Sequence, residues 1–308
     1  MTLILVTGSY GQVGRALSAR HQPGKREIIG FDRDELDITD LDQVRAAIAA
    51  RPYAAVINAA AYTAVDNAES DRDAAYAINR DGPENLARTS AERGIPLLHI
   101  STDYVFDGTR DGAYREDDAT GPTGVYGASK LAGEAAVRAA NPRHIILRTS
   151  WVYAVSTGNF VATMLRLAAE RPELRVVADQ RGGPTEAGAI ADALLTITEL
   201  LGEERVDSGL WGTYHFSGAP ATTWHGFAEA IVAAGVPRLR MVPTVTPIRT
   251  EDYPTPARRP ANSVLDCSKI AARFGIRQPD WTQSLAAVVE AIQTTVLAPQ
   301  QLPRNSAS

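Results

Sequence analysis

Tyr126 and Lys130 stand four positions apart in V-Y-G-A-S-K, a spacing that puts both side chains on one face of a helix. A phenol so placed can protonate a carbonyl oxygen as hydride reaches the carbon. An adjacent ammonium favours the phenolate left behind and can bind a ribose hydroxyl. Taken alone, the pair also fits a solvated amphipathic surface. Thr102 adds a third group: it follows the apolar run Leu97 to Ile100, so its hydroxyl emerges at the carboxyl edge of a strand, where it can polarise the same carbonyl. Extended geometry turns Ser101 to the other side, and His99 is expected to pack in or beside the strand, since no nucleophile arrangement calls for an imidazole. The single cysteine, Cys267, has no identifiable basic partner and reads as structural.

Hydride chemistry needs a donor site, and the first glycine cluster supplies a candidate. Gly8, Gly11 and Gly14 in G-S-Y-G-Q-V-G follow an apolar run and open a helix, which permits a tight turn, close helix packing and free backbone N–H groups for a pyrophosphate. The spacing departs from G-x-G-x-x-G, and a purely structural turn fits it too. Asp32 lies 18 residues beyond Gly14, at the end of the second apolar run, where a carboxylate can accept ribose hydroxyls. Arg33 beside it can instead favour an extra ribose phosphate, so NADH and NADPH both stay open. Asp37 and Ile38 fit the adenine edge and fit equally a helix cap or core contact. Ala59, Ala60 and Ala61 are small enough for a dinucleotide to approach, or for close packing. The G-K-[ST] ending of a phosphoryl-transfer loop is absent.

The elements that must position these groups alternate in type. Strands are expected at 2–7, 27–31, 54–58, 96–101 and 144–149, with helices at 12–20, 41–50, 74–93 and 127–140 between them. That pattern predicts an α/β, Rossmann-like, doubly wound parallel sheet. A loop is expected over 107–125. Beyond it the alternation loosens: helices at 160–171, 188–201 and 223–234, a strand at 211–216, and Pro-rich connections over 237–260. The expected organisation is a dinucleotide-binding domain over 1–154, completed by parts of 186–217. A smaller C-terminal substrate-binding domain falls mainly in 155–290, with a flexible tail at 291–308.

The 308 residues, 44% of them hydrophobic, suffice for a sizeable core. A formal charge of -5 with scattered Lys and Arg excludes the basic face of a nucleic-acid binder. The opening M-T-L-I-L-V-T-G lacks a basic leader and a long apolar run, so a cytoplasmic protein with no membrane partner is expected.

Several separated motifs, in order, resemble the dTDP-4-dehydrorhamnose reductases of the extended short-chain dehydrogenase/reductase group. They are G-S-Y-G-Q-V-G, N-A-A-A-Y-T-A-V-D-N-A-E at 58–69, S-T-D-Y-V-F-D-G at 101–108, V-Y-G-A-S-K-L-A-G-E at 125–134, R-T-S-W-V-Y at 148–153 and Y-P-T-P-A-R-R-P at 253–260. The resemblance spans most of residues 2–290. It implies reduction of the C4 ketone of dTDP-4-dehydro-6-deoxy-L-mannose to dTDP-L-rhamnose with NADPH or NADH, with Thr102, Tyr126 and Lys130 as the catalytic trio. Cofactor contacts are then expected from Gly8, Tyr10, Gly11, Gln12, Val13, Gly14, Asp32, Arg33, Asp37, Ile38, Ala59, Ala60, Ala61, Tyr126 and Lys130. Substrate contacts are expected from Val65, Thr102, Asp103, Tyr104, Tyr126 and Trp151, while core packing also accounts for Val65 and Trp151. Asp107 and Gly108 read as the turn that follows. R-G-G-P-T at 181–185 and one of Arg258 and Arg259 are further candidates for shaping the nucleotide pocket.

Some reductases of this kind are linked as dimers through magnesium on acidic residues. Here the corresponding places hold Arg15 and Gly188, with Glu290 retained and Glu186 shifted. Magnesium is therefore not expected to be essential, and a homodimer stays open. Two rivals remain on the same fold: a nucleotide-sugar epimerase or dehydratase, and a nucleotide-binding regulatory subunit like that of methionine adenosyltransferase. Retention of the whole trio argues against the second.

Overall fold

The first apolar run forms β1 (Thr2–Thr7), whose alternate side chains enter opposite layers, Leu3 and Leu5 on one face, Ile4 and Val6 on the other. The structure, a computed structural model, describes residues 2–156, 158–202, 208–239 and 241–296. After β1 come α1 (Gln12–Ser18), β2 (Arg26–Phe31), α2 (Leu41–Ala49), β3 (Ala55–Asn58), α3 (Arg72–Tyr76), a π turn (Ala77–Asp81) and α4 (Gly82–Glu92). β4 (Leu97–Thr102), α5 (Val125–Ala140) and β5 (His144–Thr149) follow. The helix expected over 74–93 is thus broken by a π turn, against which α5 packs so closely that a Cβ on Gly133 would lie 1.9 Å from the Asn79 carbonyl oxygen.

The second half holds β6 (Val152–Tyr153), α6 (Phe160–Glu170), β7 (Glu173–Val177), β8 (Arg181–Gly182), β9 (Thr185–Glu186) and α7 (Ala187–Leu201). Next are β10 (Gly212–His215), β11 (Thr222–Thr223), α8 (Trp224–Gly235), β12 (Thr244–Ile248), α9 (Ser268–Phe274) and α10 (Trp281–Ala291). Six parallel strands pair in the order β10-β5-β4-β3-β1-β2. From β1 the sheet extends to β2 on one side and β3 on the other, so the carboxyl ends of β1 and β3 flank the crevice where open α/β sheets take ligands. β10 and α7, from the second half, complete this sheet and its cover: Ile190, Leu194 and Ile197 share a core with Val13, Leu17 and Ile57. A second core joins Val161 and Leu165 of α6, Val176 of β7, Phe227 and Ile231 of α8, and Leu285 and Val289 of α10.

Two expectations change. The connection over 237–260 contains β12, paired in parallel with β7; its Pro247 hides the strand in the sequence but is tolerated in a two-stranded ribbon. Residues 291–296, assigned above to a flexible tail, are helical, because Ile292 is buried in the second core. The rest of that segment, 297–308, lies outside the described residues. Among the described residues no helix is long and apolar enough to cross a membrane.

Candidate active site

Helix α5 carries Tyr126 and Lys130, and bonds through Glu69, Asn79 and Glu134 fix it. Its N-cap, Gly124, offers no side chain, and Glu69 Oε1 from a distant loop accepts the Val125 N–H at 2.8 Å instead. Asn79, buried in the π turn, donates to Ser129 Oγ at 3.0 Å and to the Tyr62 carbonyl at 3.1 Å. One turn beyond Lys130, buried Glu134 accepts from Ser101 Oγ (2.6 Å), Arg148 Nε (2.8 Å) and Arg138 Nη2 (2.6 Å). These bonds outweigh burial and hold the Glu134 carboxyl below its ordinary range. Deleting Glu134 would strand buried Arg148 without its partner, at a cost of about 3–5 kcal/mol.

Tyr126, Lys130 and Thr102 face one cleft of about 920 Å³ at the carboxyl edge of the sheet. Burial pushes the Tyr126 phenol up to about 12; the Thr102 hydroxyl opposes this and the Asp103 carboxylate adds to it. Burial brings Lys130 down to about 8, with Glu134 pulling the other way, and its Nζ donates to the Ile100 carbonyl at 2.7 Å. Thr102 Oγ1 donates to Asp103 Oδ1 at 2.9 Å and accepts the Tyr104 N–H at 3.2 Å. Burial raises the Asp103 carboxyl to about 6 against the neighbouring Ser263 and Thr102 hydroxyls. The arrangement places a phenol that keeps its proton at neutral pH beside a hydroxyl and a cation, which suits proton delivery to an oxygen on which negative charge develops.

The other end of the cleft is built mainly from backbone. Gly11 N–H closes the first turn onto the Gly8 carbonyl at 3.1 Å, and Gly8 has φ 71°. A Cβ on Gly8 would lie 2.6 Å from the Ala60 nitrogen, so only glycine lets this turn rest on the Ala59–Ala61 loop. The result is a floor nearly free of side chains, lined by Gly8, Gly11, Gln12, Val13 and Ala59 to Ala61, which fits a dinucleotide laid across it. Asp32, Arg33, Asp37 and Ile38 line the same end. Both Asp32 oxygens already accept backbone N–H groups, from Tyr10 at 2.9 Å and Arg33 at 2.7 Å, whereas the Arg33 guanidinium has no ion pair among the described residues. Asp37 closes a turn by accepting from Thr39 N and Oγ1 and is not a helix cap, since α2 is capped by Asp40, while Ile38 is a core contact packed on Gly82 as well as part of the cleft wall.

Two residues expected at the cofactor lie off the cleft wall. The Tyr10 side chain is exposed and off the cleft wall, with the Arg15 guanidinium 5.8 Å from its ring centre. Gly14 is a packing glycine: a Cβ there would stand 2.1 Å from the Gly8 carbonyl oxygen. Val65, Asp103, Tyr104 and Trp151 do reach the cleft, Tyr104 edge-on to Tyr126 with ring centres 5.7 Å apart. Trp224 joins them from the start of α8; no motif marked it, although a tryptophan directly after the Thr223 cap is a large apolar group at a helix start. Tyr62, Thr63 and Ser150 also line the cleft and were passed over inside motifs read for their neighbours.

The remaining candidates have structural partners. His99 is buried against Asn58 at 3.0 Å and kept neutral, chiefly by burial. The Cys267 thiol is buried, pushed up to about 11, and accepts the Ser217 N–H. Asp107 accepts from Thr109 and Tyr114, and Gly108 turns at φ 78°. None of residues 181–185 lines the cleft, because β8 stands behind Trp151. Arg259 pairs with Asp66 at 2.8 Å, while Arg258 is exposed. Arg15 Nε donates to the Tyr10 carbonyl, Arg20 pairs with Asp192 near Glu186, and Glu290 pairs with Arg238 at 3.2 Å. Among the described residues no three His, Cys, Asp or Glu side chains cluster as a metal site.

Residues 1–294 match the family model described as the RmlD substrate binding domain. The chain is 46% identical over 290 residues to a dTDP-4-dehydrorhamnose reductase of Aggregatibacter actinomycetemcomitans, covering 92% of this chain and 97% of that one. A crystal structure of a dTDP-4-dehydrorhamnose reductase from Clostridium acetobutylicum superposes with a TM-score of 0.88 at 36% identity, over 95% of this chain and all of that one. One from Bacillus anthracis, solved in complex with NADP, gives 0.86 at 37% identity over 94% and 99%.

Proposed function

The chain belongs to the dTDP-4-dehydrorhamnose reductases, and on that premise we propose how its cleft carries out their reaction. It reduces the C4 ketone of dTDP-4-dehydro-L-rhamnose to dTDP-L-rhamnose, with NADH or NADPH as the reductant. The convergence of Thr102, Tyr126 and Lys130 beside the glycine and alanine floor carries the residue assignments.

A reduced nicotinamide bound on that floor supplies the hydride. Tyr126 gives its proton to the C4 oxygen, a direction favoured by the burial that raises its phenol. Thr102 orients that oxygen by turning its one hydroxyl proton from Asp103 to the substrate, while the Tyr104 N–H continues to hold the hydroxyl oxygen. Lys130, held at the Ile100 carbonyl, stabilises the developing tyrosinate and meets the ribose. Val65, Tyr104 and Trp151 bound the sugar. Of the two cofactors, the Arg33 guanidinium, without an ion pair among the described residues and on the cleft wall, favours NADPH. Turnover is expected to survive chelation of magnesium, since Arg15 and Gly188 stand where acidic residues would be needed and Glu290 is paired with Arg238.

Loss of reduced-nicotinamide absorbance with enzymatically generated dTDP-4-dehydro-L-rhamnose, run with NADH and NADPH in parallel, tests this reading. Stoichiometric oxidation with formation of dTDP-L-rhamnose supports it. Verified, folded protein that consumes neither cofactor would move the assignment to an epimerase or a regulatory subunit.

A further inference from the structure

Among the described residues Trp151 is the one non-glycine residue with positive φ, at 47°. A bulky side chain in the left-handed region is strained and persists only where its surroundings over-determine it. Here the surroundings come from the second half of the chain. The indole of Trp224 lies face to face on that of Trp151, with ring centres 3.6 Å apart and planes within 7°. On another side stands Gly182, where a Cβ would fall 2.4 Å from Trp151 Cε2, so any larger residue there would displace the ring. Gly182 and Trp224 are coupled in turn. β8 pairs antiparallel with β11, Thr222 opposite Gly182, and α8 begins at Trp224 one residue past that ribbon. The Thr185 N–H bonds the Trp151 carbonyl at 3.2 Å, holding the strained backbone from its other end. Behind Trp224, Phe160 packs at 4.6 Å and leads into the second core.

We propose that Trp224 is a positioning and specificity residue: by stacking on Trp151 it holds that indole in its left-handed backbone conformation as the flat apolar wall for the deoxyhexose ring. This rests on the reading of Trp151 as a sugar-facing residue. The sugar wall is thereby shared between the two cores: the backbone of Trp151 continues from β5, while the ring position is set by α8 and the β8–β11 ribbon. The glycine and alanine floor contributes no residue to this stack, so cofactor affinity should change less than sugar affinity.

The full chain would be assayed as wild type, Trp224→Ala, Trp224→Phe and Gly182→Ala, with KM determined separately for the sugar and for NADPH and the near-ultraviolet and far-ultraviolet circular dichroism recorded. Release of a strained residue of this kind predicts a rise in sugar KM of about tenfold for Trp224→Ala, with NADPH KM changed by less than about twofold. Trp224→Phe, which keeps an aromatic face, should recover most of the loss. Gly182→Ala leaves both indoles present but crowds Trp151; it should show the same sugar defect and lose the exciton couplet that two stacked indoles give the wild type. Wild-type sugar KM in both Trp224→Ala and Gly182→Ala, equal rises in both KM values, or a wild type without a couplet would overturn the proposal. If Trp224→Ala does not fold, Gly182→Ala and Trp224→Phe carry the decision. Wild-type chain that folds and shows the couplet but no turnover overturns the functional reading and the sugar role while leaving the stacking itself established.

Discussion

The two ends of the cleft are made of different material. The floor beside β1 and β3 is mostly backbone from contiguous strand-to-helix turns, kept bare by Gly8, Gly11 and Ala59 to Ala61. The opposite end is side chains drawn from five distant segments: Val65, Thr102 to Tyr104, Tyr126 with Lys130, Trp151, and Trp224. A backbone floor is broken by adding atoms and a side-chain wall by removing them, so the two ends should fail independently and with opposite kinds of substitution.

The largest effect is expected at the side-chain end. Tyr126→Phe removes one oxygen and should lower kcat by about 10²–10⁴-fold, with cofactor affinity little changed when measured by fluorescence titration. Unchanged turnover would remove Tyr126 as the proton donor. At the backbone end, Gly8→Ala adds one carbon where the Ala60 nitrogen would be 2.6 Å away. Combined with the left-handed φ, this should cost about 2–4 kcal/mol of stability and weaken both nicotinamide cofactors, read by thermal unfolding and titration. Normal values of both would mean the turn has room that its geometry denies.

Lys130 is the point where the two ends meet, and pH probes it. Its folded pKa, brought down to about 8, implies that kcat/KM falls as pH rises through that value, because the neutral amine no longer stabilises the tyrosinate, while Tyr126, at about 12, keeps its proton throughout. The fall should approach about tenfold per pH unit; a profile flat to pH ~10 would exclude this role. The same lowered pKa makes charged Lys130 cost stability below about pH 8, a cost that fades as pH rises from about 8 to the ordinary lysine value of 10.5. The smallest effect sharpens the comparison within the floor. Arg33→Ala should raise NADPH KM by about tenfold and leave NADH KM within about twofold, since only the former carries a phosphate on the adenosine ribose 2′ position. An equal change for both cofactors would place Arg33 away from that phosphate.

Much of the floor was legible before any coordinates. Glycines at fixed offsets after an apolar strand, an acidic residue at the next strand end and small residues after the third strand are local signals, and local backbone geometry suffices to realise them. Tyr10 and Gly14 stand off the cleft wall for a related reason: a motif names its members without saying which face the wall and which pack behind it. The convergence of Thr102, Tyr126 and Lys130 on one cleft was legible through helical spacing and strand position. Its supports were not, because Glu69, Asn79 and Glu134 reach α5 or the strands beneath it across gaps in sequence that no periodicity encodes. β12 was hidden by Pro247, whose cost depends on whether the strand sits at an edge, which is a property of the assembled ribbon.

The sequence by itself determined the alternation that makes a parallel sheet, the bare turn at its crevice and the chemical identities of the hydroxyl, phenol and amine that face the cleft, since each depends on residues near one another in the chain. Only the tertiary structure decided which tryptophan holds which, how α5 is capped from Glu69, and that burial drives Tyr126, Lys130 and Asp103 away from their ordinary pKa values. The physical reason is common to all three: desolvation, stacking and close approach depend on which distant surfaces meet, and that is settled when the two cores pack on one another.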